Sequence, residues 1–145
     1  MSKHIEEFRI YVRTRQFDIT SVNETMLDNS IFNTEIAVHG YELVRNDRHR
    51  HGGGVALYIR DSINYKIRND LAIASLETVT VEIFKPKAKS FLINTWYRPP
   101  NTPIDLFEDY EICIKKMDAE DKEPICIGDF NCDCLLRKNN LTLLD

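Results

Sequence analysis

Hard oxygen donors stand at the ends of predicted strands in this 145-residue chain. In Pro124-Ile125-Cys126-Ile127-Gly128-Asp129-Phe130-Asn131, three apolar residues predict a short buried strand that stops at Gly128. A carboxylate and a carboxamide follow, two positions apart. Near the N-terminus, the β-branched stretch from Phe17 to Asn23 predicts a strand that delivers Asn23 and Glu24. A third strand, Phe91 to Tyr97, is stopped by Arg98-Pro99-Pro100, because adjacent prolines cannot continue a central strand. If the three ends converge, Glu24 offers its carboxylate to Mg2+ or Mn2+, cations that prefer oxygen ligands and keep waters for a substrate to displace. Asp129 would orient or deprotonate an attacking water. Asn131 would hold that water or a phosphate oxygen. The Tyr97 hydroxyl would donate to a phosphate oxygen that gains charge in the transition state. Each residue also has a plainer role available: Asp129 and Asn131 as turn formers, Glu24 in a turn cap, Tyr97 as an aromatic packed beside Trp96.

The elements that must position these groups can be read in order. Residues 3–15 place Ile5, Phe8, Tyr11 and Val12 at helical spacing, with Glu6 and Glu7 in the first turn and Arg13 and Arg15 in the last. Residues 28–40 read as loop. Tyr41 to Val44 predicts a short strand, and Arg45, Arg48, His49, Arg50 and His51 a basic loop. Gly52-Gly53-Gly54 leads into a clear strand from Val55 to Ile59. Neither Lys-Ser nor Lys-Thr follows the glycines, and no helix comes next, so a phosphate loop is disfavoured and close backbone approach between strands is the predicted role. Ile63 to Ile67 suits another short strand. Val79, Val81 and Ile83 alternate with Thr80 and Glu82, the pattern of a half-buried strand. Thr102 as N-cap and Pro103 at the first helical position predict a second helix, with Phe107, Tyr110, Ile114 and Met117 on its buried face. Leu141, Leu143 and Leu144 begin a further apolar segment. This order predicts mixed sheets packed face to face with helices outside, an α/β sandwich.

Composition narrows the functions. Hydrophobic content of 43% and charged content of 29% are ordinary for a globular domain. A formal net charge of −4 excludes a global basic field, so a polyanion must be met by a local patch or through a metal. Arg48, Arg50 and Asn101 are the candidate substrate-binding residues, the two arginines as DNA-phosphate contacts. The four cysteines, Cys113, Cys126, Cys132 and Cys134, lack zinc-site spacing and suit reduced thiols in an intracellular compartment, nuclear or cytoplasmic. No signal-peptide core and no bilayer-length apolar run are present, so no membrane role is expected.

Four words together resemble the endonuclease/exonuclease/phosphatase superfamily, the DNase I-like fold. They are Ser21-Val22-Asn23-Glu24-Thr25, the segment from Tyr41 to Arg60 with its glycine run, Asn94-Thr95-Trp96-Tyr97-Arg98-Pro99-Pro100, and Ile127-Gly128-Asp129-Phe130-Asn131. Within the superfamily the likeness is to the apurinic-type endonuclease domain of LINE-like non-LTR retrotransposons. The resemblance implies a four-layer α/β sandwich, Glu24 as a ligand of Mg2+ or Mn2+, phosphate or transition-state contact by Tyr97, and catalytic Asp129 and Asn131. It implies cleavage of a DNA phosphodiester to leave a 3′-hydroxyl. It also implies departures. The family's first strand, with its supporting Asn, and its final Ser-Asp-His-like segment find no counterpart here. His4, His39, His49 and His51 lie elsewhere, and Met26 replaces the usual Trp or Arg. The expectation is therefore a partial domain over 1–145, incomplete in fold, weak or inactive as a nuclease, with an unpaired sheet edge that favours self-association. A phosphoesterase acting on another substrate, such as a phosphoinositide, and a non-catalytic degenerate fragment are the alternatives.

Overall fold

The structure, a computed structural model, describes residues 4–132. Its elements are α1 (Ile5–Arg15), β1 (Ile19–Asn23), β2 (Tyr41–Asn46), β3 (Val55–Arg60), β4 (Tyr65–Ile67), β5 (Glu77–Ile83), β6 (Phe91–Tyr97), α2 (Asp105–Asp118) and β7 (Pro124–Asp129). They build two sheets. One is antiparallel in the order β1-β3-β2. The other has the order β4-β5-β6-β7, and its β6–β7 pair is parallel. Parallel neighbours need a crossover, which α2 supplies.

The sheets face each other across one core. Val55, Leu57 and Ile59 of β3 meet Val79, Val81 and Ile83 of β5 and Ile93 and Tyr97 of β6. The opposite face of β3, Ala56 and Tyr58, is covered by Val12 and Phe8 of α1. On the outer side of β6, Leu92 and Trp96 pack under Tyr110, Cys113 and Met117 of α2. Helix, sheet, sheet and helix make four layers, so the expected α/β sandwich is what the chain forms. The unbroken apolar run of β3 follows from this burial, since both its faces are covered.

Four local expectations are corrected. First, α2 begins at Asp105, and Thr102 does not cap it; the Thr102 hydroxyl donates to the Pro99 carbonyl at 2.8 Å. Second, Cys113, fully buried, takes the place predicted for Ile114, which is 38% exposed. Tyr110, Cys113 and Met117 are as evenly spaced as the predicted set, so periodicity alone could not choose. Third, β5 is buried on both faces. Thr80 and Glu82 face a polar layer in which Asn94 Nδ2 donates to Thr80 Oγ1 at 2.8 Å and Ser90 Oγ donates to Glu82 Oε1 at 2.6 Å. Fourth, β7 runs through Gly128 to Asp129 and forms the sheet margin, so Ile125 is 42% exposed rather than buried. The loop at 28–40 buries Ile31, Ile36 and Val38 and contributes its own apolar cluster under α1. Cys134 and the run Leu141, Leu143 and Leu144 lie outside the described residues. Among the described residues, no helix is long and apolar enough to cross a membrane.

Candidate active site

The two sheets are stitched by polar side chains at one end. Ser21 Oγ lies 2.7 Å from Thr95 Oγ1, and Asn23 Nδ2 donates to the Trp96 carbonyl at 2.9 Å. These bonds carry β1 of one sheet onto β6 of the other, and they place the next residue, Glu24, at the mouth of the sandwich. Glu24 is exposed and left-handed, with φ 53°. Its Oε1 accepts a short hydrogen bond from the Tyr97 hydroxyl. Burial first, and then this bond to the carboxylate, push the Tyr97 phenol up to about 12. At neutral pH the Tyr97 phenol therefore stays protonated and can donate.

Tyr97 is the register partner of Asp129 across the parallel pair, and register partners project from the same face of a sheet. Glu24, Tyr97 and Asp129 thus share one mouth. Asp129 Oδ1 accepts from the Asn131 backbone N–H at 3.1 Å, an Asx turn that holds both residues on the rim. The Asn131 side chain donates through Nδ2 to the Arg98 carbonyl at 2.7 Å. That bond fixes the amide so that Oδ1, an acceptor, is the oxygen it can offer to a water. Arg98 closes the rim from below. Its guanidinium donates to the carbonyls of Asn131 at 3.2 Å and Thr102 at 2.6 Å and lies over the Phe107 ring.

The substrate candidates separate. Arg48 is already engaged, its Nη1 on Glu77 Oε1 at 2.8 Å. Arg50 is more open and stands 3.9 Å from Asp28. Asn101 is exposed on the turn after Pro100, with φ 60°, beside the Thr102 carbonyl that Arg98 holds. Sequence reasoning missed Glu77 altogether, because it lies outside the alternation that marks β5. It also missed the bridging work of Ser21 and Thr95, whose only signal is a hydroxyl on an inward-facing strand position.

Among the described residues, no group of three His, Cys, Asp or Glu side chains is arranged to hold a metal. The donor set does not suit a cation caged entirely by protein. Glu24, an exposed carboxylate, is the kind of hard oxygen donor that a magnesium-type ion takes while keeping most of its waters.

No family model matches the chain. No curated protein matches it either. Solved structures do. The human Nocturnin catalytic domain with bound sulfate superposes with a TM-score of 0.66 at 15% identity, over 92% of this chain and 58% of that one. The endonuclease domain of TRAS1, a telomere-specific non-LTR retrotransposon, gives 0.65 at 20% identity, over 88% and 54%. ANGEL2, a 2′,3′-cyclic phosphatase in complex with adenosine-2′,3′-vanadate, gives 0.60 at 13% identity, over 89% and 44%. The chain has the DNase I-like fold and spans about half the length of these solved chains.

Proposed function

We propose that the strand-end group of this DNase I-like fold is a magnesium-dependent phosphodiester-hydrolysing site, of the DNA-endonuclease kind and of non-LTR retrotransposon origin. One observation carries the reading: the Tyr97 hydroxyl donates to the Glu24 carboxylate while Tyr97 stands in register with Asp129. Three residues distant in sequence are thereby brought to one end of the sandwich. The four words that resemble those of retrotransposon endonucleases, and the fold shared with the TRAS1 domain, favour this substrate class.

The chemistry follows from the groups. Asp129 accepts a proton from a water whose oxygen forms a bond to phosphorus. The P–O3′ bond breaks, and O3′ leaves as an alkoxide that takes a proton from solvent water to become the 3′-hydroxyl. Asn131 Oδ1 accepts the second proton of that water in a hydrogen bond and keeps it in line. Tyr97 has a single hydroxyl proton, and Glu24 holds it. It can turn to a phosphate oxygen only when Glu24 is otherwise engaged. A cation held by Glu24 would supply charge stabilisation at the phosphoryl oxygens.

The test is long, single-turnover incubation of the purified chain with supercoiled plasmid and with an abasic-site duplex, in Mg2+ and in EDTA. We expect slow nicking in Mg2+ and none in EDTA, reduced at least about 100-fold by Asp129→Ala. Nicking that survives this substitution, or its complete absence at every enzyme concentration, overturns the reading. A phosphatase is the second reading, favoured by the fold shared with ANGEL2. Faster release of phosphate from a 2′,3′-cyclic nucleotide or a phosphoinositide than cleavage of DNA would establish it instead.

A further inference from the structure

A cluster beside the proposed site has no part in that chemistry. Glu77 opens β5, opposite Tyr97 in register. Its Oε2 accepts from the Gly54 N–H at 2.6 Å, and its Oε1 accepts from Arg48 Nη1 at 2.8 Å. Arg48 Nε then donates to the Gly52 carbonyl at 3.2 Å. Gly53 and Gly54 have φ of +75° and +84°. A Cβ on Gly53 would lie 2.5 Å from Glu77 Oε2, and one on Gly54 would lie 2.5 Å from Thr25 Oγ1. Only glycine fits such a conformation in so little space.

This loop grips the segment that carries Glu24. The Thr25 N–H donates to the Gly54 carbonyl at 3.2 Å, and the Met26 N–H donates to the Gly53 carbonyl at 3.0 Å. Glu24 and Met26 are both left-handed, with φ of 53° and 52°. Side-chain-bearing residues persist there only when their surroundings hold them. Glu77 belongs to one sheet and the glycines lead into the other, so a single carboxylate ties the two together one step from Glu24. Its hydrogen bond to a guanidinium is charge-assisted, and so stronger than a neutral one.

We infer that Glu77 is a positioning residue for Glu24, acting through Gly53 and Gly54, and that Arg48 serves this brace rather than a DNA phosphate. What Glu24 does once positioned rests on the hydrolase reading; the brace itself does not. In Glu77→Gln, one acceptor oxygen becomes a donor facing the donors of Gly54 or Arg48. Amide hydrogen exchange at Thr25 and Met26 then accelerates about tenfold or more, while the amides of Leu57 and Val81 keep their wild-type rates. The Mg2+ concentration giving half-maximal nicking rises about tenfold, with the KM for DNA unchanged. Arg48→Met produces the same change in exchange and leaves the salt dependence of DNA binding as it was.

Wild-type exchange at Thr25 and Met26 in both variants overturns the brace. A log–log salt slope reduced by about one in Arg48→Met restores Arg48 to the phosphate. Should Glu77→Gln fail to fold by circular dichroism, Arg48→Met carries the exchange test alone. A wild-type chain that cleaves nothing, with accelerated exchange in the variants, refutes the hydrolase reading and leaves the brace standing.

Discussion

Gly128 meets the tightest surroundings of the described glycines. A Cβ there would fall 2.0 Å from the Trp96 carbonyl oxygen and 2.9 Å from its carbon, at φ +151°. The obstacle is backbone, which cannot rotate aside. Glycine at this position is what lets β7 lie close enough to β6 to set Asp129 beside Tyr97. Gly128→Ala should cost more than about 2 kcal/mol in urea denaturation, through strain at a position closed to side chains. Loss of amide protection should concentrate in β7. A midpoint equal to that of the wild type would mean that the two strands can separate freely. From sequence, this glycine reads as the stop of a strand. Its function as a spacer within one depends on a neighbour more than thirty residues earlier, which local pattern cannot supply. Asn131 shows the same limit. Its type suggested amide contact with phosphate, but the direction of the amide is decided by the Arg98 carbonyl.

Between elements, the connection from α2 to β7 is held by charge. Arg68 precedes a short 3-10 turn (Asn69–Leu71) and has a 7% exposed side chain. It contacts Asp70 at 2.7 Å, Glu82 at 3.0 Å and Glu120 at 2.9 Å, and Lys122 bonds Glu82 from the other side at 3.1 Å. Arg68→Met leaves the Glu82 carboxylate buried with less compensation and should cost about 3 kcal/mol at neutral pH. Hydrogen bonds from Arg68 hold Asp70 and Glu120 at about 2. Ser90 first, and then Lys122 and Arg68, hold Glu82 below its ordinary value. Carboxyls lowered by folding stabilise fully above their ordinary values and lose that contribution as the pH falls through the folded ones. The gap between wild type and Arg68→Met should therefore close between about pH 4.5 and pH 2. Urea midpoints across that range measure it, and a gap constant with pH would contradict the network's role. Secondary structure here was largely legible, since β3 and β6 announce themselves by apolar and aromatic residues and α2 by its period. The Arg68 network was not, because a lone arginine near a turn ordinarily reads as solvated.

At the scale of the molecule, two sheets packed face to face with helices outside were foreseeable from element order alone. Which ends converge was foreseeable only through the resemblance, because Asn23, Thr95 and Trp96 meet by sheet stacking and no local signal encodes it. The same packing leaves β7 as one of the edge strands among the described residues. Among the described residues, β7 pairs on one side, with β6, and its Ile125 and Cys126 are exposed. An edge strand offers unpaired backbone donors and acceptors to a second chain, and an exposed β-branched apolar side chain adds hydrophobic gain to that pairing. Natural edges are commonly guarded by a charge, and lysine does so most often. Ile125 lies where such a guard would act, so Ile125→Lys should suppress self-association without touching the core. Sedimentation velocity over a concentration series should show the wild type shifting to larger species while the variant stays monomeric. An invariant monomer in both would mean that the margin is already protected. Gain of a monomer in Ile125→Lys with unchanged nicking would separate the edge from the proposed site, which lies toward the other strand end, at Asp129.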